Sequence, residues 1–430
     1  MVHVVHLLHT FPPQTRGGIE NHVEALAGDQ QSAGGRVHVV CGTTEGRAVG
    51  WQRHTELDVL RLPSETEWTR AQHGGRSAAL EAFGDTLRTL RPDIVHVHHF
   101  GATGPGPVAV AAALGIPTVV TLHDLYGFCP LHFRLRDQRD LCAPDVGADT
   151  CVVCLSQASG MAAGALAPMF TARTAAFESE FRRAGRILAP SNALVEYLAA
   201  VPLLAARRRD RAPDPAVECV GFPSAATAPP TAPRARAASV PSVPSAARAA
   251  SGPLHIATWG GLVPGKGLHV LIEAAGLLGR GAVELAHHGG ILDTGYAERC
   301  AARARELAVP LVIAGPFEPA ELAARVADAD VAVFPSLFLE TYGLTTDEAL
   351  ALGLAVVVPD RGAPKERIGT RGRVFRTGDA ADLARVLAPF VAARDAVIEL
   401  ERGEASTLLD LASYRLRLAA IYAQLIAAGP

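Results

Sequence analysis

Short runs rich in Val, Ile and Leu alternate with helical stretches along this chain, and the series occurs twice. The first runs through "VHVVHLL" (2–8), a helix over 18–34, "RVHVVCG" (36–42), "DIVHVHH" (93–99), "PTVVTLH" (117–123) and "RILAP" (186–190), with helices expected over 76–90, 104–114, 161–183 and 191–200. It restarts at "LHIATWG" (254–260), followed by strands at 282–288, 310–315, 330–336 and 354–360 with helices between them. Strand–helix–strand alternation requires parallel strands joined by crossover helices. The expected fold is α/β: two doubly wound Rossmann-like domains facing a cleft, with ligands outside the carboxyl ends of the strands.

Between the two series the composition changes. Residues 206–252 are dominated by Ala, Pro, Ser and Arg, and apolar periodicity is lost. This reads as a flexible connection, ordered around "AVECVGFP". The expected domains are therefore 1–205, a linker over 206–252, 253–410, and a closing amphipathic helix over 411–430 that packs back on the N-terminal domain. The "RRRDR" run (207–211) reads as solvated linker charge, with peripheral contact to anionic lipid headgroups as the alternative, where each basic residue is worth about 1 kcal/mol.

At 430 residues the chain exceeds one ordinary core, and 49% hydrophobic against 19% charged residues fits a globular protein. A net charge of −3 argues against a nucleic-acid partner. The N-terminus lacks a basic n-region and reads as a first strand, and no apolar tract is long enough to span a bilayer, so a cytoplasmic or inner-membrane-surface location is expected. Only two lysines occur, Lys266 and Lys365, which singles out Lys266 in "WGGLVPGKGLHVLIEA" (259–274). There a strand ends at Trp259, the glycine-rich turn with Gly260 and Gly261 follows, and Lys266 stands just before a helix.

In "FPSLFLETYGLTTDEALALG" Glu340 lies in the loop leaving a strand and Glu348 in the first turns of the next helix. The two acids bracket a helix N-terminus, with Gly343 letting the backbone turn. Unpaired N–H groups and a partial positive charge at such a terminus suit a phosphate. A third turn, Gly17 and Gly18 in "TRGGIENHVEALA", opens the first helix.

Together, "PSLFLETYGLTTDEALALGLAVVVPDRGAPKERI", "GGLVPGKGLHVLIEA" and "RGGIENHVEALA" resemble the retaining, nucleotide-sugar-dependent glycosyltransferases of family 4, with the GT-B fold. The resemblance covers the chain outside the linker. It implies that Glu348 holds the donor ribose hydroxyls, that Glu340 positions the donor sugar, and that Lys266 neutralises charge on the leaving diphosphate. Gly343, Leu344 and Thr345 would add backbone N–H groups beside Tyr342, while Gly17, Gly18, Gly260 and Gly261 belong to the glycine turns. "IAGPFEPAEL" (313–322), with Gly315, would approach the base. His123 matches a histidine the family places near the reacting sugar, with Asp124 and His98 on the acceptor side along with His96 and His99. The family needs no metal for catalysis, and no aspartate cluster suited to Mg²⁺ stands in either phosphate turn. The implied partners are a UDP- or GDP-sugar and a carbohydrate, lipid-linked or small-molecule acceptor. One departure stands out: Gly261 occupies a position where the family commonly has Arg, and Arg16 and Arg361 are candidate replacements. A GT-B epimerase or phosphorylase, or a donor-binding protein without turnover, is the alternative reading.

Four cysteines, Cys129, Cys142, Cys151 and Cys154, fall within 26 residues after His123, closing in Cys-x-x-Cys. The spacing suits structural zinc or an iron–sulfur cluster, with a disulfide or free thiols as alternatives.

Overall fold

The computed structural model describes residues 2–44, 47–63, 77–137, 139–211, 216–223, 252–401, 403–404 and 409–429. Most of the expected linker, 224–251, lies outside the described residues. The chain divides into two compact units: Met1–Arg134, Cys142–Pro223 and Leu409–Pro430 form one; Leu135–Leu141 and Ser224–Leu408 form the other.

The first unit is built on strands β1 (His3–Leu8), β2 (Arg36–Gly42), β3 (Gly50–His54), β4 (Leu57–Leu62), β5 (Ile94–Val97) and β6 (Thr118–Thr121). A short hairpin, β7 (Leu135–Arg136) and β8 (Asp140–Leu141), belongs to the second unit. Strands β9 (Arg186–Ala189) and β10 (Glu218–Cys219) complete the first. The sheet order is β10-β9-β6-β5-β1-β2-β4-β3, parallel apart from the antiparallel β3–β4 edge. That hairpin is absent from the strands expected above; its residues alternate intermediate and exposed in β3, as an edge strand does. All six residues of β1 are buried, because helices cover both faces of a parallel sheet. His3 and His6 therefore stand inside the core with the valines.

Two readings of the linker need correction. Residues 205–211 continue as a helix, and Arg207 is 2% exposed, donating to the carbonyls of Phe181 and Ala184 and, through Nε, Ala216. Its guanidinium closes the chain onto the unit and is not solvated linker charge or a lipid contact; the run reads as surface charge in sequence because its backbone partners are remote. β10 then pairs with β9, in keeping with the order expected around "AVECVGFP" (216–223). The closing helix, Leu411–Ala428, buries Tyr414, Leu418, Ile421, Tyr422 and Leu425 in the first unit, and Arg415 pairs with Asp29 at 2.6 Å.

The second unit carries β11 (Leu254–Trp259), β12 (Val283–His288), β13 (Leu311–Ile313), β14 (Val331–Val333), β15 (Ala355–Pro359) and β16 (Gly372–Phe375), all parallel in the order β13-β12-β11-β14-β15-β16. Its core lies on both faces, with Leu271, Leu285 and Leu387 on one and Val356, Leu350 and Phe334 on the other. The order reverses between β11 and β14, which makes their carboxyl ends the natural ligand crevice.

Candidate active site

In the second unit, β11 delivers Trp259 to that crevice and β14 delivers Phe334, Pro335 and Ser336. The turn after β11 leads into helix α1 (Leu268–Leu278), whose N-cap is Gly267 at φ +75°. A Cβ there would run into the Pro335 carbonyl, so only glycine lets the two loops approach. The Gly265 carbonyl accepts from the Leu337 N–H at 2.8 Å, locking the turn to the loop that carries Glu340.

Lys266 Nζ donates to Glu340 Oε1 at 2.7 Å, and Ser336 Oγ donates to the same oxygen at 2.6 Å. The ammonium also lies 4.9 Å from the centre of the Phe338 ring. An ammonium has three donors, so the Glu340 contact orients Lys266 and leaves donors for an anion. Thr345 lines the same pocket, as do Lys266, Glu340 and Ser336.

Glu348 sits in helix α2 (Leu344–Ala351), and its Oε2 accepts from Trp259 Nε1 at 2.7 Å. Burial raises the Glu348 carboxyl above its ordinary range, and the indole bond works against that rise. The two glutamates are thus chemically distinct: Glu340 is tied to a cation, Glu348 to a neutral N–H.

The α2 N-terminus is shaped by a buried ion pair. Arg367 Nε donates to Asp347 Oδ1 at 2.5 Å, and the same guanidinium donates to the carbonyls of Tyr342 and Gly343 and lies over the Tyr342 ring. Gly343 is the N-cap at φ +77°, where a Cβ would press on Pro364 Cγ at 2.9 Å. Gly343, Leu344 and Thr345 thereby open the helix with unpaired N–H groups.

Gly260 follows Trp259 at φ +120° and donates to the His288 carbonyl. Gly315, at φ +73° after β13, accepts from the Gly289 N–H at 2.8 Å. A Cβ at Gly261 would meet only the tip of Leu292, at 2.8 Å. Of the two candidate cations, Arg361 belongs to this unit and donates to the Leu337 carbonyl at 2.5 Å, beside the Glu340 loop. Arg16 belongs to the other unit and pairs with Glu24. The sequence reading missed Trp259, Ser336 and His287 as pocket residues. His287 is 3% exposed, lines the pocket, and neither ring nitrogen has a hydrogen-bond partner. Its signal was available: it lies at a strand's carboxyl end, in register with Thr258.

Residues 16–209 match the model of Glycosyltransferase Family 4, and residues 253–392 match that of Glycosyl transferases group 1. The chain is a family 4-like glycosyltransferase. Its fold is that of solved GT-B enzymes. HepE of Anabaena in complex with UDP-glucose superposes with TM-score 0.63 at 15% identity, over 99% of this chain and 100% of that one. The UDP-forming trehalose-phosphate synthase of Burkholderia vietnamiensis gives 0.63 at 15%, over 100% and 98%. The catalytic domain of starch synthase IV from Arabidopsis thaliana, bound to ADP and acarbose, gives 0.62 at 15%, over 99% of each chain. No curated protein matches the sequence.

In this family 4-like enzyme the remaining expected residues lie in the first unit. Gly17 caps the helix Gly18–Ser32, and the Glu20 carboxylate of that helix's first turn lies beside it. Burial works against the Glu20 charge, but His9 and Thr10 overcome it and hold the carboxyl at about 2. His98, expected on the acceptor side, is 2% exposed, and its two ring nitrogens are engaged by His6 and His123 at 2.9 Å each. It is an interior group and does not meet an acceptor directly. His96 is likewise fully buried, between Tyr422 and Thr121. Asp124 Oδ2 lies 3.2 Å from both His99 Nε2 and His132 Nδ1. Burial opposes its charge, but the two histidines hold the carboxyl well below the usual range.

The four clustered cysteines also lie in this unit, and among the described residues no two cysteines are joined by a disulfide. Cys151 and Cys154 are one turn apart on the helix Ala148–Ser159. Burial, then the neighbouring Cys129, Cys142 and Cys154, push the Cys151 thiol up to about 11 against the pull of Arg134. The other three sulfurs therefore lie within electrostatic reach of Cys151, while the ligand groups that converge within 4.8 Å of one another among the described residues include no cysteine. Among the described residues, no single helix is long and apolar enough to cross a membrane.

Proposed function

We propose that the chain transfers a hexose from a UDP- or GDP-linked donor to a hydroxyl of a carbohydrate, lipid-linked or small-molecule acceptor, with retention at the anomeric carbon. The observation that carries this reading is the meeting, at one strand-order reversal, of an oriented cation, a helix N-terminus and a buried carboxylate. Lys266 and the N–H groups of Gly343, Leu344 and Thr345 would take up the charge that develops on the diphosphate as its bond to the anomeric carbon breaks. Because that leaving group is already good, stabilising it is the main task, and the sugar passes through an oxocarbenium-like state. Glu340 holds Lys266 in place and stands near the donor sugar. Glu348 accepts from the ribose hydroxyls. UDP among the neighbours' ligands and products supports UDP as the first donor to try. The acceptor belongs to the first unit, near His123 and Asp124, and the enzyme works in the cytoplasm or at the inner membrane surface.

The test is release of nucleoside diphosphate from a panel of UDP- and GDP-sugars, with and without candidate acceptors, beside Glu348→Ala. Release from one donor, lost in the variant, is expected. Neither release nor calorimetric binding for any donor would overturn the reading.

The cysteine loop supports a separate structural proposal. Cys129, Cys142 and Cys154 stand close enough to Cys151 to disfavour its thiolate, and Zn²⁺ taken up by the four sulfurs as thiolates would close the loop at a site with no open position. Metal analysis of the full chain should find about one zinc per chain, lost in the double variant Cys151→Ser, Cys154→Ser. Visible absorbance with bound iron would assign a cluster instead, and no metal uptake by the reduced protein would sink both.

A further inference from the structure

Three titratable side chains, His99, Asp124 and His132, meet outside the carboxyl ends of β5 and β6 in the first unit. The sheet reverses its order between β1 and β5, so its ligand crevice lies at these ends. Asp124 Oδ2 lies 3.2 Å from His99 Nε2 and 3.2 Å from His132 Nδ1, and Asp124 Oδ1 accepts from the Tyr126 N–H at 2.9 Å. The His99 side chain is 5% exposed and that of His132 is 40% exposed. The set thus runs from the interior to the surface, with His132 outermost.

Each proton in the set has one place to be. The Gly101 N–H donates to His99 Nδ1 at 2.8 Å, so that nitrogen holds a lone pair. Burial lowers the His99 pKa and favours the neutral ring, whose proton is then on Nε2 and goes to Asp124. A protonated Nε2 does not ligate a cation, so the three groups are not a chelate, although their ligand atoms lie within 4.8 Å of one another. The Asp124 carboxylate, kept ionised by the two histidines, only accepts. His132 therefore donates through Nδ1, and in its neutral form the lone pair stands on Nε2. Among the described residues, the His132 ring hydrogen-bonds through Nδ1 alone. The rings of His99 and Tyr126 flank it, with centroids at 5.7 and 4.9 Å.

The backbone holds the ring in that place. His132 has φ +67°, a left-handed conformation that few residues other than glycine adopt. Its N–H donates to the Cys129 carbonyl at 2.9 Å, and its carbonyl accepts from the Leu125 N–H at 3.1 Å. Such a conformation persists where surrounding bonds over-determine it, and it clusters at ligand sites.

We infer that His132 is an acceptor-binding residue: Asp124 fixes its Nδ1–H, and its outward Nε2 takes the hydrogen bond of a sugar hydroxyl. A lone pair needs a proton to share, so the group bound here is a hydroxyl and not an ionised phosphate or carboxylate oxygen. The tautomer stands on the hydrogen bonds alone; the identity of the hydroxyl rests on the transferase reading.

The test uses the full chain with ¹⁵N-labelled histidine at a pH where the ring is neutral, with His132 assigned by the signal lost in His132→Asn. Wild-type His132 should carry its proton on Nδ1, and Asp124→Asn should turn that signature into a mixture of tautomers. Transfer from the donor found in the panel above is then measured against hydrolysis of that donor, with methyl hexosides, disaccharides and octyl glucoside as probe acceptors. His132→Asn keeps an N–H for Asp124 and tolerates the left-handed backbone, but it lacks the outer nitrogen. Its ratio of transfer to hydrolysis should drop about tenfold through a higher acceptor KM, the worth of one hydrogen bond. His132→Gln, whose amide reaches the outer position, should recover part of that loss. A wild-type His132 protonated on Nε2 alone, an unchanged ratio in folded His132→Asn, or donor hydrolysis with transfer to none of the glycosides would overturn the inference. The Nδ1–H signature in a protein that neither binds nor cleaves any donor would uphold the Asp124–His132 pair and remove the transferase reading instead.

Discussion

At the scale of single residues, the proposed donor site would need Glu348 ionised where burial favours its neutral form. Trp259 supplies the bond that offsets burial, and bonds to charged groups are worth about 1.5–3 kcal/mol. Trp259→Phe should therefore weaken donor binding by about tenfold or more, read by calorimetry with UDP. The same carboxyl gives a pH signature. Its pKa is raised, and in the proposed site the carboxylate is the acceptor for the ribose hydroxyls. Donor affinity should therefore fall on acidification starting at a higher pH than for an ordinary glutamate, and Glu348→Gln should flatten that profile. Gly261 offers a gain rather than a loss. Its φ is not in the left-handed region, and the side chain it would meet, Leu292, is 73% exposed and free to swing aside. Gly261→Arg should add a cation to the phosphate turn and tighten UDP binding severalfold, roughly 1 kcal/mol, without loss of thermal stability. Unchanged affinity would mean that Arg361 already supplies that charge.

At the scale of elements, the helix N-terminus between the two glutamates is held by Arg367 more than by its own sequence. Arg367 is 9% exposed, Asp347 is fully buried, and the guanidinium also ties down the carbonyls of Tyr342 and Gly343. Breaking a buried pair by removing one partner costs about 3–5 kcal/mol, so Arg367→Met should lower urea stability by that order and loosen donor binding with it. Fully retained stability would show that the pair merely fills space. This element also marks what sequence can reveal. The positions of Glu340, Gly343 and Glu348 relative to a strand end and a helix start follow from hydrophobic periodicity and a glycine, both local signals. The partners that hold them do not: Arg367 lies 20 residues beyond Asp347, and Trp259 lies 89 before Glu348. For the same reason Arg207 reads as linker charge and His98 as a cleft residue, when each is buried by contacts remote in sequence. Of the β3–β4 hairpin, only the edge strand β3 carries little apolar signal; β4, with Leu57, Val59 and Leu62 buried, has an alternation that was legible in the sequence.

At the scale of the whole molecule, an unusual amount of titratable chemistry is enclosed in the first unit. His6, His22, His96, His98 and His123 are all lowered by burial, His6 to about 4 and His22 to about 3. The sign of the linkage follows from who binds protons. Above pH 6.5 neither folded nor unfolded histidines are charged, and this contribution to stability is fully present. Between 6.5 and about 4 the unfolded chain takes up protons that the buried rings refuse, so stability falls as the pH drops. For His6 alone, a displacement from 6.5 to about 4 corresponds to about 3 kcal/mol; the rings touch one another, so their effects will not simply add. The urea midpoint of the intact protein should thus decrease steeply from pH 7 to pH 5. Conservative replacement of the stacked ring, His96→Phe, should make that decline shallower even though it sacrifices the bonds to Tyr422 and Thr121. A flat profile over that interval would mean that the unit opens enough for its histidines to titrate while folded.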